Sequence, residues 1–148
     1  PPAPWRRGTL GQARRSASKR SGLLFALKET ARPMTTDYGA RIAEIDQYAI
    51  ELRKLIPDTV SAFAGLSKAA QAPGSLDKKT KELLALAISV AIRCDGCVAY
   101  HTRGAHRTGA TRLEVAETLG VAIQMGGGPS MNYAADALRT FDQFNAKA

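Results

Sequence analysis

Residues 82–101 read ELLALAISVAIRCDGCVAYH, and this stretch decides the fold that we expect. Residues 83–92 are apolar on most faces of a helix, which predicts a central and buried helix. Cys94 and the glycine two positions later mark a junction, so the next helix is expected to start at Cys94 or Asp95 and to continue to about Arg107. The stretch is therefore predicted to form a hairpin of two antiparallel helices.

The rest of the chain after Met34 also has helical periodicity, because apolar residues recur every three or four positions and no sustained alternation indicates a strand. Turn signals lie at residues 72–75, 108–111 and 126–129. Helices are predicted over residues 38–55, 76–93, 95–107, 111–125 and 130–145. A further helix is predicted to begin at Pro57 and to end before the turn signal at residues 72–75. The residues expected to cap helices are Ser75 or Asp77, Asp95, Gly109, and Thr111 with Glu114 as a capping box. The buried side of the last helix is expected to carry Met131, Tyr133, Ala134, Leu138 and Phe141. We therefore expect an all-α domain of about six helices.

The positive charge of the chain is concentrated at one end. Residues 1–33 hold eight Lys or Arg and one acid, whereas residues 34–148 hold thirteen Lys or Arg and twelve acids, so the net charge of +8 divides into +7 and +1. The expected organisation is a basic, flexible extension over residues 1–33, with residues 22–28 its most ordered part, and one domain over residues 34–148. The extension could be an upstream addition, a targeting segment or an arm for nucleic acid or membrane.

The near-neutral domain is not typical of nucleic-acid binding, and no apolar run reaches the roughly 18 residues that span a bilayer. Two cysteines are too few for a secreted scaffold with several disulfides, and no secretory leader pattern is evident. We therefore expect a cytoplasmic protein that binds neither nucleic acid nor membrane.

Both cysteines lie in one four-residue window, with the spacing Cys94-x2-Cys97-x3-His101. Residues three and four apart share one face of a helix, so the two sulfurs are predicted to reach disulfide distance and His101 to lie beside them. The first-turn amides favour a thiolate, and His101 can accept the thiol proton. Glu82 can meet His101 across the helix pair and fix its tautomer, although the spacing alone does not prove it.

Other interpretations of these residues remain open at this point. The cysteines could be buried spectators, or Cys94, Cys97 and His101 could bind zinc with His106 as a fourth ligand. His106 lies five residues after His101 and points away on a continuous helix, so a packing role is favoured for it. The GGGPS segment at residues 126–130 lacks the ending of a phosphate loop and is interpreted as a turn.

Residues 81–129, KELLALAISVAIRCDGCVAYHTRGAHRTGATRLEVAETLGVAIQMGGGP, resemble the carboxymuconolactone decarboxylase superfamily and, within it, the AhpD-like alkylhydroperoxidases. The resemblance implies an all-helical fold, an obligate homo-oligomer (trimer or hexamer) and thiol-dependent reduction of hydroperoxides. We expect such a thiol cycle to need no metal, haem or flavin. The resemblance also implies that Cys97 attacks the peroxide, Cys94 closes the disulfide, His101 transfers the proton and Glu82 ends the relay. One departure is the Asp95-Gly96 pair between the cysteines, where the best-studied peroxidases have a histidine.

The expected function is therefore a peroxidase that cycles between dithiol and disulfide, with an external dithiol, such as a lipoyl or thioredoxin-like protein, as its reductant. Two alternatives remain. One is a redox-sensing or ligand-binding oligomer with little turnover. The other is a decarboxylase-type lyase in which His101 is the base, although the lactone decarboxylases of the superfamily generally lack the cysteine pair.

Overall fold

Six α-helices and no strands make up the part of the chain that the computed structural model describes, residues 37–146. The helices are α1 (Tyr38–Leu55), α2 (Pro57–Ala70), α3 (Lys78–Ala91), α4 (Asp95–Arg107), α5 (Arg112–Gly126) and α6 (Gly128–Ala146). The predicted all-α fold is confirmed, with boundaries within about two residues of the predicted ones. The expectations for residues 1–33 and 22–28 lie outside the described residues.

Local sequence signals explain where the helices begin and end. Asp77 caps α3, since its Oδ1 accepts a hydrogen bond of 2.7 Å from the Thr80 N–H. Thr111 and Glu114 form the predicted capping box at the start of α5. After α4 the chain reverses at Gly109, whose φ of +79° is a conformation that glycine adopts without strain.

The hydrophobic core lies between α3, α4, α5 and α6, with α1 attached at one side. Its fully buried side chains include Leu86 of α3, Val98 of α4, Val115 of α5 and Phe141 of α6. A second cluster fastens α1 to α4 and consists of Tyr38, Ile42 and Ala99. The α3–α4 hairpin therefore lies at the centre of the fold, as the sequence predicted.

Two predictions about burial and one about the break between two helices are wrong. The α3 helix is buried on one face only, because Leu84, Ile88 and Ile92 are 49%, 60% and 64% exposed. Met131 of α6 is exposed as well, since the core needs only the face that carries Ala134 and Phe141. The break between α5 and α6 is confined to Gly127, with φ +71°, and α6 already begins at Gly128.

The α2 helix contains no buried residue. Phe63 and Leu66 are 69% and 66% exposed, and within residues 37–146 the helix packs mainly on α1. Large apolar side chains are therefore exposed on α2 and on the outer face of α3. None of the described helices combines the length and the hydropathy that a membrane crossing requires.

Candidate functional site

The two cysteines lie at the start of α4 and are joined by a disulfide with a Cα–Cα distance of 5.2 Å. Cys94 is the N-cap, and its Sγ accepts a hydrogen bond of 3.3 Å from the Cys97 N–H. The expectation that Asp95 caps this helix is therefore wrong, because the sulfur of Cys94 takes that position and Asp95 is the exposed first residue of α4. The helix terminus thus provides an N–H donor to the redox-capable sulfur pair.

The chain reverses sharply between α3 and the cysteine pair. Arg93 has φ +62°, which is a left-handed conformation that costs a non-glycine residue about 1–2 kcal/mol. The Cys94 N–H donates to the Ser89 carbonyl at 3.0 Å and closes the reversal. This turn places the start of α4 beside the end of α3, so the two helices run back along each other.

Glu82 and His101 meet across the hairpin, as the sequence suggested. The distance from His101 Nδ1 to Glu82 Oε2 is 2.9 Å, and the two side chains are 30% and 12% exposed, respectively. A carboxylate only accepts hydrogen bonds, so a neutral His101 ring carries its proton on Nδ1 and its lone pair on Nε2. His101 lies one helical turn after Cys97, so the two side chains share one face of α4.

Gly104 gives the Glu82 carboxylate its place against α4. A Cβ added at Gly104 would lie 2.2 Å from Glu82 Oε2 and 2.9 Å from Oε1. Only a residue without a side chain allows the carboxylate to approach the α4 backbone this closely. Gly104 is thus a positioning residue for the Glu82–His101 pair.

Tyr100 holds α1 against α4 next to the site. Its hydroxyl donates a short hydrogen bond to Asp46 Oδ1. Burial, together with this hydrogen bond, raises the pKa of Tyr100 to about 12. The phenol therefore stays protonated at neutral pH, and its role is to fix the α1–α4 contact.

A cavity of about 280 Å³ opens beside the Glu82–His101 pair. It extends along α4 toward the C-terminus of that helix and reaches the first turn of α3. Its lining residues are Lys78, Glu82, Tyr100, His101, Arg103, Gly104, Arg107 and Thr108. The candidate site thus consists of a sulfur pair at the start of α4, a carboxylate–histidine pair one turn further on, and a basic cavity beyond it.

His106 is a packing residue, as predicted. Its ring lies 5.9 Å from the Phe141 ring in an edge-on arrangement and 6.2 Å from the Phe144 ring. Within residues 37–146, no three side chains of His, Cys, Asp or Glu are grouped so that they could hold a metal ion. His106 therefore does not join Cys94, Cys97 and His101.

Sequence reasoning identified the sulfurs, His101 and Glu82, but it missed Gly104, the Arg93 reversal and the basic lining of the cavity. A signal for Gly104 was present, since a glycine inside a helix lowers helix stability and this one lies three residues after His101. The sequence does not mark Arg93, because this left-handed position after a helix C-terminus is usually glycine, whereas here the arginine N–H donates to the Val90 carbonyl and the next N–H to the Ser89 carbonyl.

Comparison with known proteins places the chain in a family. The family described as "Carboxymuconolactone decarboxylase family" matches residues 57–140. An uncharacterized protein of Cupriavidus necator is 47% identical over 113 residues, which are 76% of this chain and 100% of that protein.

Two solved structures show the same fold. A carboxymuconolactone decarboxylase family protein from Legionella pneumophila, in its apo form, is 43% identical over 74% of this chain and 98% of its own, with a TM-score of 0.72. A family member from Thermotoga maritima, described as a candidate participant in the antioxidative response, is 32% identical over 60% of this chain and 92% of its own, with a TM-score of 0.58. The chain belongs to the carboxymuconolactone decarboxylase family.

Proposed function

We propose that this protein is a thiol-dependent peroxidase that reduces hydroperoxides through a cycle of Cys94 and Cys97. One observation carries the proposal: the disulfide at the start of α4 lies one helical turn from a histidine that is held by a largely buried carboxylate. Such an arrangement supplies a nucleophile, a second thiol and a proton carrier within one hairpin. The related Thermotoga maritima protein, with its antioxidative description, agrees with this chemistry.

In the first step, Nε2 of His101 accepts the thiol proton of Cys97. The Cys97 thiolate then forms an S–O bond with the terminal oxygen of the hydroperoxide, the O–O bond breaks, and the remaining oxygen leaves as an alkoxide. His101 returns the proton to the alkoxide, so the products are an alcohol and the sulfenic acid of Cys97. Glu82 stabilises the imidazolium while it holds the extra proton.

In the second step, the Cys94 thiol displaces water from the sulfenic acid and closes the disulfide. An external dithiol then reduces the disulfide by two exchange reactions and is itself oxidised to a disulfide. The expected reductant is a lipoyl or thioredoxin-like protein. Because Cys94 Sγ accepts the Cys97 N–H, the helix terminus stabilises a Cys94 thiolate as that sulfur is released.

Two serine variants test the assignment of the sulfurs, and each is the control for the other because the chain has only these two cysteines. Cys97→Ser should abolish peroxide consumption. Cys94→Ser should stop after one turnover and accumulate one sulfenic acid per chain, which a dimedone probe traps and mass spectrometry locates. Wild-type turnover by Cys97→Ser would refute the proposal. Dimedone labelling of Cys94 in that variant would show instead that Cys94 attacks the peroxide and Cys97 closes the disulfide.

We also propose that the protein functions as a homo-oligomer, a trimer or a hexamer. The observation in favour is the exposed apolar surface of α2 and α3, which includes Phe63, Leu66 and Ile88. A single chain that exposes so many large apolar side chains leaves them in water, whereas a second copy would bury them.

A lyase for a small carboxylated lactone is a second candidate, because the cavity combines His101 with basic side chains that suit an anionic substrate. In that reaction His101 is the base and the sulfurs take no part. Alkylation of both cysteines separates the candidates, since it should abolish peroxide reduction but leave the activity of a lyase intact.

A further inference from the structure

The basic cavity beyond His101 has a surplus of positive charge. Lys78, Arg103 and Arg107 line it, and Glu82 is its one acidic lining residue. The Glu82 carboxylate is already engaged by His101 at 2.9 Å. The lining therefore presents three cations and no free carboxylate.

Some basic residues of the described fold are paired with carboxylates, whereas others, Lys68 and the three cavity cations among them, are not. Lys79 and Arg112 are neutralised by Glu114 and Asp142, at 2.6 Å and 2.8 Å. In contrast, none of the three cavity cations forms an ion pair with any residue in the described range 37–146. Arg103 is held instead over the Tyr100 ring, with its guanidinium carbon 5.2 Å from the ring centroid.

We infer that this cavity binds the carboxylate of an acidic hydroperoxide, so that the preferred substrate is a long-chain hydroperoxide with an acid group at its far end. The inference rests on the proposed peroxidase function and names its substrate class. A guanidinium pairs well with a carboxylate, and two arginines with a lysine around one cavity supply both attraction and orientation. The carboxylate takes no part in the redox step, in which Cys97 is still oxidised and the O–O bond still reduced.

The position of the cavity along α4 sets the length of the substrate. A helix rises 1.5 Å per residue, and Arg103 and Arg107 lie six and ten residues after Cys97, so their Cα atoms are roughly 9 and 15 Å along the axis from that cysteine. The separation along the helix between Cys97 and the two arginines is thus on the order of 10 Å, a length that a fatty-acid hydroperoxide can span between its peroxide and its acid group.

His101 indicates that the anion belongs to the peroxide and not to the dithiol. This residue lines the cavity and, in the proposed cycle, protonates the alkoxide that is released when the O–O bond breaks. The tail of that alkoxide therefore extends past His101 into the cavity. Cys94, the sulfur that we assign to exchange with the reductant, lies at the start of α4 and does not line the cavity.

The kinetic test compares linoleic acid hydroperoxide with its methyl ester, using one dithiol and one ionic strength. We expect kcat/KM to favour the acid about tenfold or more. Arg103→Gln and Arg107→Gln should each lower this preference about three- to fivefold, since an exposed ion pair contributes up to about that factor. Lys68→Gln is the matched control, because Lys68 lies on α2 and does not line the cavity, and it should keep the preference.

A binding test distinguishes failure of this inference from failure of the peroxidase proposal. Calorimetry with the hydroxy-acid product and its methyl ester should show tighter binding of the acid, with a smaller difference in Arg103→Gln, whether or not the protein turns over peroxide. Equal binding of acid and ester, or an unchanged preference in both arginine variants, would overturn the inference. The inference would also be overturned if the protein preferred the acidic dithiol dihydrolipoate over dihydrolipoamide but showed no preference for the acidic peroxide. In that case the cavity would bind the carboxylate of the dithiol. Failure to reduce any hydroperoxide, cumene hydroperoxide included, would count against the peroxidase itself.

Discussion

Substitution of Gly104 by alanine should impair the proton relay while leaving the fold intact. The new Cβ would lie 2.2 Å from Glu82 Oε2, whereas ordinary van der Waals contact begins at 3.4 Å, so the carboxylate oxygen must retreat by about 1.2 Å. The bond to His101 Nδ1, now 2.9 Å, then lengthens toward 4 Å if the retreat is directed away from His101, which is too long for a hydrogen bond.

The cost to stability should be small because the atoms that move belong to the end of a flexible side chain. Alanine in a helix interior gains up to about 1 kcal/mol over glycine, which offsets part of the roughly 1.5–3 kcal/mol of a hydrogen bond to a charged group and leaves a net loss of about 0.5–2 kcal/mol. Misplacement of a catalytic group by about 1 Å typically costs on the order of 100-fold in rate. We therefore expect Gly104→Ala to remain folded, to unfold a few degrees below the wild type, and to reduce peroxide 10- to 100-fold more slowly.

The assay is dithiol-dependent peroxide consumption, measured as a function of pH for Gly104→Ala, Glu82→Gln and the double variant. If Gly104 acts only through Glu82, the double variant should be no slower than Glu82→Gln, and the two single variants should share one pH–rate profile. Gly120→Ala is the control, because a Cβ at Gly120 meets nothing within 4 Å, and it should keep wild-type kinetics. A wild-type rate for Gly104→Ala, or effects that multiply in the double variant, would refute the reasoning.

Two further predictions concern stability and assembly. A hydrogen bond to Lys79, followed by bonds at the capping box, lowers the pKa of Glu114 to about 2 from 4.5, so its carboxylate stabilises the fold above pH 4.5 and this contribution is lost as the pH falls toward 2. When thermal unfolding is measured between pH 4.5 and pH 2, Glu114→Gln should lose less stability with falling pH than the wild type does. Glu117→Gln, on the same helix, is the control and should behave like the wild type. If the unfolding temperature falls with pH at the same rate in all three proteins, the assignment is contradicted. Phe63→Asp should dissociate the oligomer, because burial of about 140 Å² of an aromatic side chain that is 69% exposed contributes about 3 kcal/mol per copy, or on the order of 100-fold in affinity. Light scattering measures the mass, and a monomeric wild type or an unchanged mass for Phe63→Asp would contradict this prediction.

The sequence predicted the helices well because their signals are local. Pro57 at the first turn of α2, Asp77 at the cap of α3 and the capping box of Thr111 each determine a boundary through nearby backbone groups. The break at residues 126–129 was predicted too wide, since Gly127 alone reverses the chain and the following proline suits the first turn of α6.

Burial was harder to predict than helix position. The α3 segment is apolar on most faces, but the pattern does not say whether an apolar face meets its own chain or a neighbour. Leu86 and Val90 are buried in the core, whereas Ile88 on the same helix and Ile92 at its C-cap are more than half exposed within one chain.

The candidate site was predictable where spacing along one helix determined it. Cys94, Cys97 and His101 share a face of α4, and Glu82 reaches them because the hairpin is antiparallel. The cavity could not be predicted in the same way. It depends on how far the α3 and α4 side chains separate at the open end of the hairpin, and Lys78 comes from a different helix than the two arginines.

The central claim is that Cys94 and Cys97 cycle together during peroxide reduction. The most direct measurement is a titration of free thiols in the reduced protein during a peroxide challenge, with and without dihydrolipoamide. The account predicts that each equivalent of peroxide removes two thiols per chain and that dihydrolipoamide restores both while peroxide continues to disappear. Peroxide consumption with both thiols unchanged, or two intact thiols in the presence of unconsumed peroxide, would contradict it.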